Sequence, residues 1–333
     1  MDIKNITAKS SSWRKAFEIQ KKSVSQYNRL SSFILGKYYN GDPEKIESKF
    51  KDNIFSTLFI AAAATLDLPD EKLEFYAVLN HCMRTLVTGC DNLFDDEYKE
   101  VIPLLLPGKG TIFKSVLHVI IAEKIIAMHL DKYIDSGKLT TEKASIISRA
   151  ALEVLLPSGI EEHEEEDNPA WYDIKADQLI DNILYRKTGV LFEAPMKLIR
   201  IAEDFDEEKI SLHCKALSTF GIACQMLDDV MDTGEDIYRQ KYNTVVSLAA
   251  EYPEEKKAVI QIAENHSISK EEAEKAAGKL KKARRKCIRL SFSYFRKAHQ
   301  LFREIAPELA GKEIVSIAAA ARRQIMSDRN LNQ

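Results

Sequence analysis

Asp228, Asp229, Asp232 and Asp236 crowd the stretch 224–243, CQMLDDVMDTGEDIYRQKYN. Positions 228, 232 and 236 recur at i, i+4 and i+8, so on a helix they share one face. Stacked carboxylates repel, and a hard divalent cation that takes oxygen ligands removes that cost. A solvated acidic face is the alternative. Against it, Met226, Leu227, Val230 and Met231 interleave the acids and would bury the helix, and buried acids need a counter-charge. A second stretch repeats the pattern. Asp91-Asn92-Leu93-Phe94-Asp95-Asp96-Glu97 sets Asp91 and Asp95 at i, i+4, at the end of the apolar segment 75–90. Two acid pairs, each closing an otherwise buried helix, are expected to form two walls of one metal-filled cavity.

The elements that must position these acids are helices. Twelve Gly and nine Pro among 333 residues, with abundant Ala, Leu, Ile, Lys and Glu, argue for an all-α chain. Helices are expected at 10–39, 44–66, 71–90, 111–134, 140–156, 173–202, 207–219, 220–237, 254–264, 270–302 and 307–326. Breaks come from Asn40-Gly41-Asp42-Pro43, Leu68-Pro69-Asp70 and the Pro- and Gly-bearing loop before 111. The run EEHEEED at 161–167 is expected as an exposed acidic loop, with His163 solvated rather than ligating. The basic run 279–286 is expected to face solvent. Neither a fixed-period repeat nor a low-complexity linker interrupts the chain, so one domain is expected.

Composition also excludes. A formal charge of −3 argues against a general nucleic-acid binder. The five cysteines (82, 90, 214, 224, 287) show no paired spacing and are expected as reduced, buried thiols of a cytoplasmic protein. The start, MDIKNITAKSSSW, has no continuous apolar core and does not resemble a signal peptide. The longest apolar run, 58–66, is too short for a transmembrane segment.

These residues carry a resemblance to the trans-isoprenyl diphosphate synthases (polyprenyl synthetases) and the related class I terpene synthases. Asp228-Asp229-Val230-Met231-Asp232 resembles the second DDxxD motif, with Gln225 three residues before it. Lys187-Thr188-Gly189 with Leu191-Phe192 resembles the KTGxLF stretch. Asp91–Asp95 resembles the first DDxxD motif, with Asn92 in place of its second acid, and Lys241 followed by Asn243 sits near the downstream lysine. The likeness covers about residues 44–243. It implies the isoprenoid synthase fold, a single-domain antiparallel helical bundle around a central apolar cavity. An allylic prenyl diphosphate would be the substrate, with Mg2+ as cofactor (three ions once substrate is bound). Asp91, Asp95, Asp228, Asp232 and Asp236 would be metal ligands. Lys187, Lys241 and Asn243 would bind substrate, and Lys187, Thr188 and Gln225 would be the catalytic set. A homodimer is implied too, for which 112–128 is a candidate face and core packing the alternative.

The departures bear on the reaction. Chain-elongating members carry GGKRxRP ahead of the first acids to grip isopentenyl diphosphate. Here Lys49-Phe50-Lys51-Asp52-Asn53 lacks the arginines and the proline, and an Arg-Arg pair after the first acids is missing. A site without those cations should hold a second diphosphate poorly. The sequence therefore favours a class I terpene synthase that ionises one allylic diphosphate and cyclises or rearranges the cation. The alternatives are a trans-prenyl diphosphate synthase and a non-catalytic subunit of one.

Overall fold

A computed structural model describes residues 10–45, 48–94, 98–166, 170–203, 205–265, 268–310 and 314. Among them there is no strand, only an isolated antiparallel bridge between Tyr39 and Leu104, so the chain is all-α. The helices divide into two compact units. The described residues of Thr7–Glu153 and Pro195–Asp206 form one; those of Val154–Ala194 and Glu207–Gln333 form the other.

The first unit is built on α1 (Ser11–Leu35), α2 (Ile54–Ala64), α3 (Asp70–Phe94), α4 (Ile112–Asp135) and α5 (Thr141–Glu153). Ser10 caps α1 by accepting the Trp13 N–H, and Gly36 ends it at φ 52°, a conformation glycine takes without strain. Trp13, Tyr27, Leu58, Leu73, Leu79, Ile121 and Ile125 are among its largest fully buried side chains. Each contributes about 1.5–3 kcal/mol of burial. Gly89 lets α3 and α4 close on each other just before the first acids. A Cβ there would sit 2.8 Å from Val119 Cγ2. The helix expected from residue 44 starts only at Ile54, after a 3-10 turn, Phe50–Asn53. Asn53 explains the delay. Its amide donates to Ser48 Oγ and to the Lys49 carbonyl, and accepts from Gln20, a set of bonds that competes with helix.

The second unit starts with α6 (Leu156–Glu166) and the short α7 (Ala176–Gln178), which runs into a π-helix over Leu179–Gly189. Then come α8 (Val190–Ala202), shared between the units at Pro195, α9 (Glu207–Met231), α10 (Thr233–Arg239), α11 (Thr244–Ala249), α12 (Pro253–Ala263), α13 (Lys270–Ala277) and α14 (Lys281–Ile305). Helices α9 and α14 form the heart of this unit. Phe220 lies edge-on to Phe295 at 5.2 Å and to Phe302 at 6.4 Å. Three side chains of α14 bond carbonyls of α9 in antiparallel order. Arg284 donates to Val230 at 2.7 Å, Cys287 to Met226 at 3.3 Å and Ser291 to Ala223 at 2.7 Å.

Several expectations are corrected. Residues 161–166 of the acidic run are helical, as part of α6, and Glu161 and Glu165 are buried rather than exposed. Their charge is met by cations described below. Residues 173–202 are not one α-helix but are interrupted by the π-helix. Residues 207–231 are one helix where two were expected, and 270–302 is two helices, broken after Ala277. Arg284, inside the basic run, is buried against the end of α9. Asp95, Asp167 and all of 307–326 except residues 307–310 and 314 lie outside the described residues.

Candidate functional site

The C-terminal end of α9 carries the second acid cluster. Asp228 and Asp232 are exposed, and Asp236 is half-buried. The helical path holds across the break at Asp232. The Asp232 N–H donates to the Asp228 carbonyl at 2.8 Å, and the Asp236 N–H to the Asp232 carbonyl at 2.9 Å. The three acids thus keep successive turns. A helix C-terminus is the negative end of the peptide dipole, a poor place for acids alone. Arg284 places its guanidinium on the Val230 carbonyl and offsets this. Burial, then the neighbouring Asp229, pushes the Asp236 carboxyl well above the usual range.

The hub is Asp229, a residue sequence reasoning assigned no role. It is 2% exposed. Its Oδ2 accepts from the Thr244 N–H at 2.8 Å and from the Thr244 hydroxyl at 2.5 Å, and its Oδ1 accepts from Gln225 Nε2 at 3.0 Å. Gln225 Oε1 in turn accepts from the Thr188 hydroxyl at 2.6 Å. A continuous line, Thr188–Gln225–Asp229–Thr244, therefore joins the end of the π-helix, α9 and the start of α11. Burial pushes the Asp229 carboxyl up, and its Gln225 and Thr244 donors pull it back. Asn243, expected as substrate-binding, is only 1% exposed and fully committed within the fold. It caps α11 by accepting from Val245 and Val246. It also donates to the Asp229 carbonyl and to Asp236 Oδ2, both at 2.7 Å.

Lys187 lies in the last turn of the π-helix, a kind of wide turn that is frequent at functional sites. Its Nζ lies 2.9 Å from Glu162 Oε1 and 2.9 Å from Glu165 Oε2. Burial alone would lower its pKa, but Glu165 and Glu162 outweigh that and raise it, so it stays charged. Arg186 pairs with Glu161 at 2.7 Å and Glu164 at 2.9 Å. Lys241 follows Gln240, whose left-handed backbone (φ 58°) ends α10 and turns the chain. The Lys241 Nζ lies 3.8 Å from Glu162 Oε2, and the Tyr242 N–H donates to Glu165 Oε1 at 2.6 Å. The two lysines expected to hold diphosphate thus meet at one carboxylate. The signal in the sequence was the spacing of the α6 acids, which on a helix gives one acidic face, opposite the adjacent pair Arg186-Lys187.

In the other unit, Asp91 is exposed in the last turn of α3. Asn92 is buried and bonds Lys99 in both directions: its amide donates to the Lys99 carbonyl at 3.1 Å and accepts the Lys99 N–H at 2.9 Å. An aspartate could not donate, so Asn92 serves the loop rather than a metal. Arg84 donates to the Asp52 carbonyl at 3.2 Å, and Phe50 packs edge-on to Phe17 at 5.2 Å. The stretch 49–53 is thus tied into the fold.

Among the described residues no three His, Cys, Asp or Glu side chains gather into a ready metal cage. Hard oxygen donors one turn apart, Asp228 and Asp232, still fit Mg2+. That ion is usually held by one or two carboxylates, with substrate phosphates and water completing its shell. No helix among the described residues is long and apolar enough to cross a membrane. All five cysteines are free, and Cys82, Cys214 and Cys287 are buried.

Many solved structures resemble the chain over nearly its whole length, three of them as follows. A heptaprenyl diphosphate synthase from Staphylococcus aureus superposes with a TM-score of 0.66 at 14% identity, covering 96% of this chain and 100% of that one. A polyprenyl synthase from Caulobacter crescentus, complexed with calcium and isoprenyl diphosphate, gives 0.63 at 16%, covering 92% and 99%. A decaprenyl diphosphate synthase from Rhodobacter capsulatus gives 0.60 at 14%, covering 92% and 95%. At such identities these likenesses establish the isoprenoid synthase fold. No curated protein matches the sequence. The model of the polyprenyl synthetase family matches residues 110–280, over half of the chain and including the π-helix, α9 and the acids at its end, and the chain belongs to that family.

Proposed function

We propose that the protein is a Mg2+-dependent enzyme that ionises an allylic prenyl diphosphate and transfers the prenyl cation to a second substrate, as a trans-prenyl diphosphate synthase does. Family membership and the prenyl synthases among its structural neighbours support transfer over the cyclisation that the sequence favoured. The observation that carries the reading is the line Thr188–Gln225–Asp229. It couples the segment of Lys187 to the acid-bearing end of α9.

In this reading Asp228 and Asp232, with Asp236 behind them, would hold Mg2+, and Asp91 and Asp95 of the first acid cluster would also serve as ligands. The metal, when bound, neutralises charge on the departing diphosphate. Lys187 and Lys241 grip diphosphate oxygens. Thr188 and Gln225 line the reaction chamber, oriented by Asp229, and Asn243 acts through Asp229 and Asp236 instead of touching substrate. The allylic cation then needs apolar surroundings that exclude water. A homodimer through α4 is part of the proposal, because Ile112 is 69% and Phe113 62% exposed there.

A second reading, cyclisation of a single substrate, rests on the stretch 49–53, which contributes no arginine of its own for a second diphosphate and whose Phe50 packs against aromatic neighbours. One assay separates the two. The protein is incubated with Mg2+ and geranyl, farnesyl or geranylgeranyl diphosphate, with and without isopentenyl diphosphate. Longer diphosphates formed only with both substrates support transfer, and hydrocarbons from one substrate alone support cyclisation. No turnover under any condition refutes both and leaves a non-catalytic subunit.

A further inference from the structure

The proposed diphosphate lysines are already occupied by the chain's own acids. Helix α6 lays Glu161, Glu162, Glu164 and Glu165 against Arg186, Lys187 and Lys241. Lys187 is held by Glu162 and Glu165 at equal distances of 2.9 Å. Glu162 sends its other oxygen toward Lys241, so one carboxylate faces lysines from two separate segments. Glu165 has its second oxygen fixed by the Tyr242 N–H at 2.6 Å, and Ser158 at the start of α6 donates to the Lys187 carbonyl at 2.8 Å. These contacts seat α6 firmly. Both clamp acids are largely removed from solvent, with side chains 19% and 3% exposed for Glu162 and Glu165, so screening is weak there.

We infer that Glu162 is a built-in competitor for the substrate's diphosphate: it stands where an anion bridging Lys187 and Lys241 would stand, and sets how much charge compensation that anion must bring. The inference rests on the proposed function and deepens it. Two carboxylates on one lysine leave little attraction for a further bare anion, since like charges a few ångströms apart repel strongly in a partly buried site. A diphosphate that carries divalent cations arrives with much of its charge compensated and can displace Glu162 while Glu165 keeps Lys187 placed. Glu162 and Glu165 therefore have separate tasks, although they are one turn apart on the same helix. The first yields to substrate. The second, tied to Tyr242, positions the lysine.

The test is binding of inorganic diphosphate to the full-length chain by titration calorimetry, with EDTA and with Mg2+. Glu162→Gln keeps the Glu165–Lys187 pair and removes one negative charge. It should tighten diphosphate binding by about tenfold, more in EDTA than in Mg2+. Glu164→Gln, whose ion pair is with Arg186, should leave affinity unchanged. Glu165→Gln should loosen Lys187 and gain less than Glu162→Gln. Equal or weaker binding by a folded Glu162→Gln protein, with wild type binding diphosphate in Mg2+, overturns the inference alone. If no form binds diphosphate with or without Mg2+, the underlying reading fails as well.

Discussion

Thr244→Val probes the hub at the end of α9 with little change of shape. Thr244 is fully buried, and its hydroxyl donates to Asp229 Oδ2 at 2.5 Å. Valine matches its volume, so no cavity opens. What is lost is one hydrogen bond to a buried carboxylate, worth about 1.5–3 kcal/mol. The carboxylate retains the Thr244 N–H and Gln225, so its remaining bonds hold it in place. In an Asp229→Asn background the same hydroxyl bond is neutral and worth about 1 kcal/mol. The asparagine keeps its oxygen toward Thr244 and turns its amide toward Gln225, whose own amide flips. A double-mutant cycle followed by urea unfolding should therefore give a coupling of about 0.5–2 kcal/mol between the two positions. Thr244→Val within about 0.5 kcal/mol of wild type, or the same cost in both backgrounds, would refute the assignment of Asp229 as a charged hub.

Other outcomes follow from the same geometry. Lys187→Met strands Glu162 and Glu165 and should cost about 3–5 kcal/mol in thermal or urea unfolding. Adding Glu162→Gln and Glu165→Gln should restore stability but not diphosphate binding, and a fully stable Lys187→Met protein would place the lysine outside the cluster. Arg284→Met removes the donor to the Val230 carbonyl and should lower stability by about 1.5–3 kcal/mol; an unshifted unfolding transition would show that the end of α9 does not depend on it. Burial and Arg84 hold His81 down to about 3, and burial, against a bond to the Phe75 carbonyl, holds His129 down to about 4. Free histidine titrates near 6.5, so below that pH the unfolded chain takes up protons that the folded chain refuses. Stability should fall as pH drops from about 6.5 toward 4, by up to about 1.4 kcal/mol per pH unit and histidine. His129→Gln should make the fall with pH shallower, and an unchanged slope would exclude His129 as a source of it.

Much of this architecture was legible in the residues. Scarce Gly and Pro marked the chain as all-α, and the i, i+4, i+8 spacing correctly put Asp228, Asp232 and Asp236 on successive turns. Thr188 and Gln225, which the resemblance put in one catalytic set, are hydrogen-bonded to each other. What escaped was non-local. An acidic run reads as solvated unless its partners are known, and the partners of Glu161–Glu165 lie more than twenty residues downstream. Arg284 sits in a run of basic residues, and only packing against α9 selects it for burial. Nothing in local composition marks 179–189 as a π-helix. Asn53 stalled a helix through side-chain bonds that propensity does not register.

The most direct measurement is release of inorganic diphosphate from geranyl, farnesyl and geranylgeranyl diphosphate, with isopentenyl diphosphate present, by wild type and by an Asp228→Ala protein shown by circular dichroism to be folded. Wild type should release diphosphate only with Mg2+, and the variant should be slower by at least about a hundredfold. Undiminished release by Asp228→Ala, or release by wild type that ignores Mg2+, would contradict the assignment of the α9 acids.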